Sequence, residues 1–274
     1  MGKTVLITGA TGAIGRVTSI ELAKAGCELI ICGRDMQKLD ALKSELIQIN
    51  RSSQVDCIAV DLSEGVSIRQ AVANIKRKHN SINAIINVAA IFKASRHVNS
   101  AGYEYMFATN HLGPFLLTNE LLSVLNAGKP ARVISVSAPS MTKINFEDIN
   151  GENKFSAGFT GAFGASKMMN LMFTYSLARR LEGTGVSAIV FHPGLVKSEL
   201  TKEIPAFLNF IFKRISSEPG KAGKMLCNLA IDAKFDNLNG KFMKVDGKEI
   251  KSNKYSYNTE IQEKLWTLSE RLTR

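Results

Sequence analysis

Three glycines set between a β-branched run and an apolar-periodic stretch are the first residues able to do chemistry: Thr8-Gly9-Ala10-Thr11-Gly12-Ala13-Ile14-Gly15. Such a turn suits a dinucleotide. Gly9 permits the tight bend, Gly12 lets backbone approach a pyrophosphate, and Gly15 permits close packing of the following helix. That helix presents free N–H groups and a partial positive charge to the phosphates. Glycine turns also occur without ligands, but a strand before and a helix after favour the binding role. A second group, Cys32-Gly33-Arg34, ends the next strand. An acid there bonds a ribose 2′-hydroxyl, whereas a basic residue accommodates a 2′-phosphate. Arg34 suits phosphate through its planar fork and permanent charge. Asp35 is placed to pair with Arg34 instead; even so, NADP(H) is expected in preference to NAD(H).

A third group lies within Gly161-Ala162-Phe163-Gly164-Ala165-Ser166-Lys167, which opens a long apolar helix. Phe163 and Lys167 stand one turn apart on the same face. Phe has no ionisable proton. Asn110 sits inside an apolar helical stretch, where a poor helix former implies a task beyond making helix. Ser135, Ser137 and Ser140 put hydroxyls near a fifth strand.

The elements that must position these residues alternate. Lys3 to Thr8 is a short, nearly continuous apolar run, suited to a strand buried on both faces. Strands are expected again at Glu28–Cys32, Val55–Val60, Ala84–Asn87, Arg132–Val136 and Val186–His192. Helices are expected at Ile14–Ala25, Asp35–Asn50, Val66–Lys78, Met106–Leu125 and from Phe163 to Leu181. Strict β-α alternation predicts an α/β fold, a Rossmann-type doubly wound parallel sheet with helices on both faces. No linker or composition break divides residues 1–274, so a single domain is expected.

Composition narrows the function classes. With 45% hydrophobic and 22% charged residues the chain can bury a large core. Its net charge of +11 comes from scattered basic residues, not interleaved with aromatics as in a nucleic-acid site. A soluble basic surface is the plainer reading, and no nucleic-acid partner is expected. The four cysteines, Cys27, Cys32, Cys57 and Cys227, lack metal-ligand spacing, and three fall in or beside apparent strands. A reducing, cytoplasmic setting and no metal follow as expectations. The first strand starts at Lys3, leaving no room for a signal peptide, and no apolar run reaches about 18 residues.

Taken together, the TGxxxGxG-type turn, Asn110-His111-Leu112-Gly113, the Phe163–Lys167 segment and His192-Pro193-Gly194-Leu195-Val196-Lys197-Ser198-Glu199-Leu200 resemble the short-chain dehydrogenase/reductase family. The NHLG form and Leu177-Ala178-Arg179-Arg180-Leu181-Glu182-Gly183-Thr184-Gly185-Val186 are similar to its retinol-dehydrogenase-like branch. Resemblance covers roughly the whole chain, including Glu263-Lys264-Leu265-Trp266. It implies hydride transfer between a nicotinamide and the carbonyl or alcohol of a mainly apolar small molecule. Asp61 and Leu62 look like the adenine contact. Ile85-Ile86-Asn87-Val88-Ala89-Ala90 resembles the LxNNAG segment, with Val88 for the second Asn and Ala90 for the Gly; Asn87 is expected to bridge the turn. Gly33 stands where an NAD-preferring acid would be. Pro193 and Gly194 would lie against the nicotinamide, with Val196 and Ser198 at its carboxamide. The cofactor set so implied is Gly9, Thr11, Gly12, Ile14, Gly15, Arg34, Asp61, Leu62, Asn87, Ala89, Lys167, Pro193, Gly194, Val196 and Ser198.

Residues 200–220 match the family's variable substrate lid. Within it Phe207, Phe210, Ile211 and Ile215 recur at helical spacing, as a substrate wall, a core-packing face, or a membrane-surface contact aided by Lys213 and Arg214. Family resemblance also implies a homodimer or homotetramer through the helices Met106–Leu125 and Phe163–Leu181.

In the family a Tyr hydroxyl exchanges the carbonyl oxygen's proton, a Lys lowers that Tyr's pKa and bonds the ribose, and a Ser hydroxyl holds the substrate oxygen. An Asn helps hold a water chain. Lys167 and Asn110 match, but Phe163 takes the Tyr position and Ala138 the Ser position. Ser→Ala and Tyr→Phe are the smallest changes that delete each hydroxyl. They fit an active enzyme deliberately inactivated, the preferred explanation, or a naturally non-catalytic chain, or a scaffold reused for non-redox chemistry. The expectation is an oxidoreductase able to bind its cofactor and impaired in turnover.

Overall fold

A computed structural model of the chain describes residues 2–198, 200, 203, 214 and 216–274. Phe207, Phe210, Ile211, Lys213 and Ile215, on which the lid expectation rests, lie outside the described residues.

Short apolar runs become the strands β1 (Thr4–Thr8), β2 (Glu28–Gly33), β3 (Val55–Ala59), β4 (Ala84–Asn87), β5 (Ala131–Val136), β6 (Val186–His192) and β7 (Phe242–Lys244). They form one seven-stranded sheet in the order β3-β2-β1-β4-β5-β6-β7, and every pairing is parallel. Side chains alternate across it as the pleat requires. Leu6 and Ile30 point into one apolar layer, while Val5, Ile7, Leu29 and Ile31 point into the other.

The second layer is closed by α1 (Ala13–Lys24), α2 (Met36–Ile49) and the helix Gly220–Ile231, through Leu22, Leu39, Leu42, Leu46 and Leu226. The first is closed by α3 (Gly65–Lys78) and by later helices carrying Phe115, Leu125 and Phe173. The doubly wound α/β fold is therefore present. Strand boundaries match the sequence reading to within a residue or two, as local patterning allows.

Two features differ from that reading. The stretch expected as one helix, Met106–Leu125, is broken into α4 (Tyr105–Phe107), a π-helical turn Ala108–Leu112, α5 (Gly113–Glu120) and α6 (Leu122–Ala127). Pro114 removes a backbone donor within the first turn of α5. Gly113 packs so closely that a Cβ there would lie 2.2 Å from the Leu62 carbonyl oxygen. Beyond the 200–220 lid, where no strand or helix is expected, β7 and the helices Gly220–Ile231 and Thr259–Leu272 complete the fold. β7 is three residues long and shows no period of its own; the parallel register with β6 defines it.

Both helices of the expected pairing surface also pack within the chain. α5 and α7 (Ala162–Arg180) are the helices through which the family resemblance implies pairing. The chain's own helix Thr259–Leu272 covers them, with Trp266 edge-on to Phe115 at 4.9 Å and stacked on Phe173 at 5.9 Å. Arg180 closes the other side of the indole at 3.9 Å. On α7, nearly every residue from Phe163 to Ala178 is buried within the one chain.

Candidate active site

Connections leave β1 and β4 in opposite directions across the sheet, and an open α/β sheet forms its crevice at such a switch, outside the C-terminal strand ends. Here that crevice is a cleft of about 410 Å³. The glycine turn forms its floor. Gly9 holds φ at +64°, and a Cβ on it would lie 2.8 Å from Ala89 Cα, so bend and close approach both require glycine. A Cβ on Gly15 would lie 2.1 Å from the Gly9 carbonyl oxygen, which is why α1 can start tight against the turn. Gly12 caps α1 without a side chain, leaving the first-turn N–H groups open toward the cleft.

Thr8, which the sequence reading did not single out, bridges the two central strands. Its hydroxyl oxygen accepts from the N–H groups of Val88 and Ala89 at 3.2 and 3.3 Å. That corrects the role expected of Asn87. The Asn87 side chain turns inward and donates to Thr118 Oγ1 at 3.1 Å, and Asn87 does not line the cleft. The physical reason is the pleat: one position further along β4 faces the opposite side. A Thr at the end of a strand, directly before the turn glycine, was the available signal.

Beside the end of β2, Arg34 lines the cleft and donates from Nη1 to Tyr105 Oη at 3.4 Å. The Asp35–Arg34 pairing allowed by the sequence is not formed. Asp35 caps α2 instead, accepting from Lys38 N–H at 3.1 Å and facing Lys38 Nζ at 3.8 Å. Asp61 and Leu62 line the same region, and Asp61 is fixed through Oδ1 by the Ser63 N–H and hydroxyl at 2.8 and 2.7 Å. Thr11, Ile14 and Ala89 are also at the cleft surface.

At the other end, the loop after β6 brings Pro193, Gly194, Val196 and Ser198 to the wall. Gly194 takes φ +76° to make the turn. Lys197 N–H donates to the Ser217 carbonyl and Ser217 N–H to the Leu195 carbonyl, at 3.0 and 2.9 Å. In this bridge the N–H and C=O of Val196 itself point the other way.

The residues expected at a reaction centre also meet here. Lys167, Phe163 and Ala138 all line the cleft. Lys167 is 7% exposed, with Nζ 5.3 Å from the centre of the Phe163 ring. Burial lowers its pKa from 10.5 to about 8. The ring of Phe163 is met edge-on by Phe92 at 5.7 Å and by Phe159 at 5.5 Å. Of the nearby hydroxyls, Ser137 donates to the Lys167 carbonyl and Ser140 to the Gly164 carbonyl, each at 2.8 Å. Both are thereby tied to the opening turns of α7. Ser135 Oγ is buried without a partner among the described residues and is not in the cleft wall.

Asn110 lies behind the wall. From the π turn its Oδ1 accepts the Ile91 N–H at 2.8 Å, while Nδ2 donates to the Ile91 carbonyl at 3.0 Å and to Ser166 Oγ at 3.1 Å. It holds the strand-end loop against α7, and its side chain does not enter the cleft. Thr109, Phe159 and His192 line the cleft and were missed. Phe159 precedes Phe163 by four residues but sits before the helix, so helical periodicity could not flag it.

Residues 3–209 match the family model described as short chain dehydrogenase. The chain belongs to the short-chain dehydrogenase family. Within the family it is 36% identical to retinol dehydrogenase 12 of Mus musculus over 276 residues, covering 98% of this chain and 85% of that protein. It is 32% identical to retinol dehydrogenase 13 of Mus musculus over 282 residues, covering 99% of this chain and 84% of that protein. Among solved structures it is similar to a Mycobacterium paratuberculosis protein, with 28% identity, TM-score 0.79, and coverage of 99% of this chain and 93% of that one. These relatives place it in the retinol-dehydrogenase-like branch.

Short-chain dehydrogenases use a nicotinamide cofactor, and the residues present fit one. The uncapped start of α1 supplies N–H groups and a positive dipole end for phosphates, and the glycines leave the space that side chains would fill. When bound, that cofactor supplies hydride chemistry.

Proposed function

We propose that this chain binds NADP(H) and holds an apolar carbonyl or alcohol compound against it, as an oxidoreductase whose turnover is impaired. The observation that carries the reading is the contrast within one cleft. The dinucleotide half has its turn glycines, Arg34 and the Val196 backbone in place, whereas the reaction centre presents Ala138 and the Phe163 ring where hydroxyls would stand. Arg34 is the NADP(H) determinant: it is not neutralised by Asp35, and Gly33 brings no competing acid. Phe159, Phe163 and Leu195 give the substrate side an apolar wall. The names of the retinol dehydrogenase relatives fit a substrate of that character.

In this reading Lys167 holds the cofactor ribose, Val196 and Ser198 meet the carboxamide, and Asn110 keeps the Ile91 loop and α7 in register. No side chain at the Phe163 or Ala138 position can give or stabilise a proton on the substrate oxygen. Loss of a positioned general acid costs about 10²–10⁴ in rate. Loss of an oxyanion donor costs about 10²–10³, and the two do not add.

The test begins with NADPH fluorescence on the purified chain. It then compares NADPH oxidation by the chain and by its Ala138→Ser/Phe163→Tyr variant across a panel of apolar aldehydes and ketones. NADPH binding and a gain of about 10²–10⁴ in kcat/KM on at least one substrate are expected. No gain anywhere on the panel would sink the redox reading.

A second reading, an NADPH-binding protein without turnover, is favoured by the packing of Phe163. Two phenylalanine rings already meet its ring edge-on, at 5.7 and 5.5 Å. The codons at positions 138 and 163 in the source gene separate a natural Phe163 from a deliberate change. A cytoplasmic setting belongs to the same proposal, on the ground that Cys27, Cys32, Cys57 and Cys227 are all free thiols.

A further inference from the structure

Lys167 holds a chemical capacity that the family's proton chemistry does not use. Its amine reaches the cleft from α7, yet among the described residues it makes no hydrogen bond and no ion pair. It lies over the ring of Phe163, 5.3 Å from Nζ to the ring centre. With phenylalanine there, no phenolate stands beside it to hold the ammonium form. We propose that Lys167 captures apolar aldehydes and ketones covalently when the cleft holds no dinucleotide, as an imine on Nζ.

Three properties converge on that chemistry. The amine is desolvated, which disfavours its charged form, and burial alone brings its pKa down to about 8. At neutral pH about one molecule in ten then carries the free base, against about one in several thousand for an ordinary lysine. A desolvated lysine in an apolar pocket is the form in which lysines act as nucleophiles toward carbonyls. The surrounding wall, with Phe159, Phe163 and Ala138, suits an apolar carbonyl compound and offers no hydroxyl to compete for it at the Phe163 and Ala138 positions.

The step balances without a redox partner. The Nζ lone pair attacks the carbonyl carbon and forms a C–N bond. The carbonyl π pair moves to oxygen, which takes a proton from nitrogen to give a carbinolamine. The C–O bond then breaks, water leaves with the second nitrogen proton, and a C=N bond remains. Capture competes with dinucleotide, because the same amine is the one proposed to hold the ribose. The two states of the cleft, carbonyl-modified and cofactor-bound, exclude one another.

This inference rests on the proposed entry of apolar carbonyl compounds into the cleft, and the experiment separates the two. The dinucleotide-free chain is incubated at neutral pH with octanal or cinnamaldehyde and cyanoborohydride, which reduces the imine to a stable secondary amine. Peptide mass spectrometry then locates the adducts. Lys167 should be modified at least about tenfold faster than surface lysines, since its larger free-base fraction outweighs the lower nucleophilicity of a weaker base. Saturating NADP⁺ should slow that modification at least tenfold, and Lys167→Arg should lose the selective adduct. In parallel, the same aldehydes are tested for a thermal shift of the NADPH-loaded chain. A thermal shift with adducts scattered over surface lysines and none on Lys167 overturns covalent capture and leaves carbonyl binding standing. Neither shift nor adduct removes both. Labelling of Lys167 that NADP⁺ does not slow also overturns the inference, since the reacting amine would then not be the one in the cofactor cleft.

Discussion

Arg34 and Lys167 are the two side chains on which most of the chemistry turns, and each makes a separable prediction. Arg34 is exposed and leans on Tyr105, so it is free to meet an added phosphate. Hydrogen bonds to charged groups contribute about 1.5–3 kcal/mol. Arg34→Ala should therefore weaken NADPH binding about 10- to 100-fold in a fluorescence titration and affect NADH binding far less. Equal loss for both dinucleotides would remove Arg34 as the selector. Lys167 predicts a stability slope. Burial holds its folded pKa at about 8, below the 10.5 of a solvated lysine. Below pH 8 the ammonium is present in both folded and unfolded chains, and its burial cost is fully felt. Above pH 10.5 both are neutral and the cost is gone. Between these limits the unfolded chain binds more protons, so this group makes stability rise with pH. The unfolding free energy of the chain minus that of Lys167→Met should increase by about 3 kcal/mol across that window in denaturant titrations without dinucleotide.

Among the elements, the broken helix from Tyr105 to Ala127 explains more than a regular one would. A π turn widens the helix where Asn110 must reach out to Ile91 and Ser166, and such turns are frequent at functional sites. The helix Thr259–Leu272 plays the complementary part. It joins its own chain through Trp266 and through Ser269, whose hydroxyl meets His111 Nε2 at 2.8 Å. His111 is fully buried, and desolvation pushes its pKa down to about 3, so it stays neutral. Trp266→Ala removes a ring shared by Phe115, Phe173 and Arg180. Thermal or urea unfolding should show a loss of about 3–5 kcal/mol, the range for a large aromatic taken from a core. A loss under 1 kcal/mol would mean that the helix is not part of the cooperative core.

For the whole molecule, the covered faces of α5 and α7 bear on assembly. A chain that buries these helices under its own terminal helix should run as a monomer of 29.9 kDa in light scattering. A stable dimer that persists on dilution would require a different surface from the one the family resemblance implied. The cleft sits where both apolar layers and the central strands meet, so ligand binding reports on the whole fold. At about 100 times its dissociation constant, a ligand that binds only the folded state adds about 2.7 kcal/mol. NADPH should therefore raise the midpoint of thermal unfolding by several degrees, and Gly15→Ala should abolish the rise, because its Cβ would lie 2.1 Å from the Gly9 carbonyl oxygen.

The sequence by itself determined the alternation, the glycine turn and the identities at positions 138, 163 and 167. Those are local matters: apolar period, turn chemistry and the presence or absence of a hydroxyl can be read from neighbours in the chain. It also placed Lys167 and Phe163 on one helical face, because a single turn separates them. Tertiary structure alone decided what each polar group does. Asn87 turned away from the cleft and Thr8 took the bridging role, since strand pairing assigns each position its face. Asp35 turned to cap α2 and left Arg34 unneutralised. Phe92 and Phe159 closed around Phe163 from separate segments. The desolvation of Lys167 likewise has no signature in the chain. It arises only when elements distant in sequence pack around one amine and take away its water.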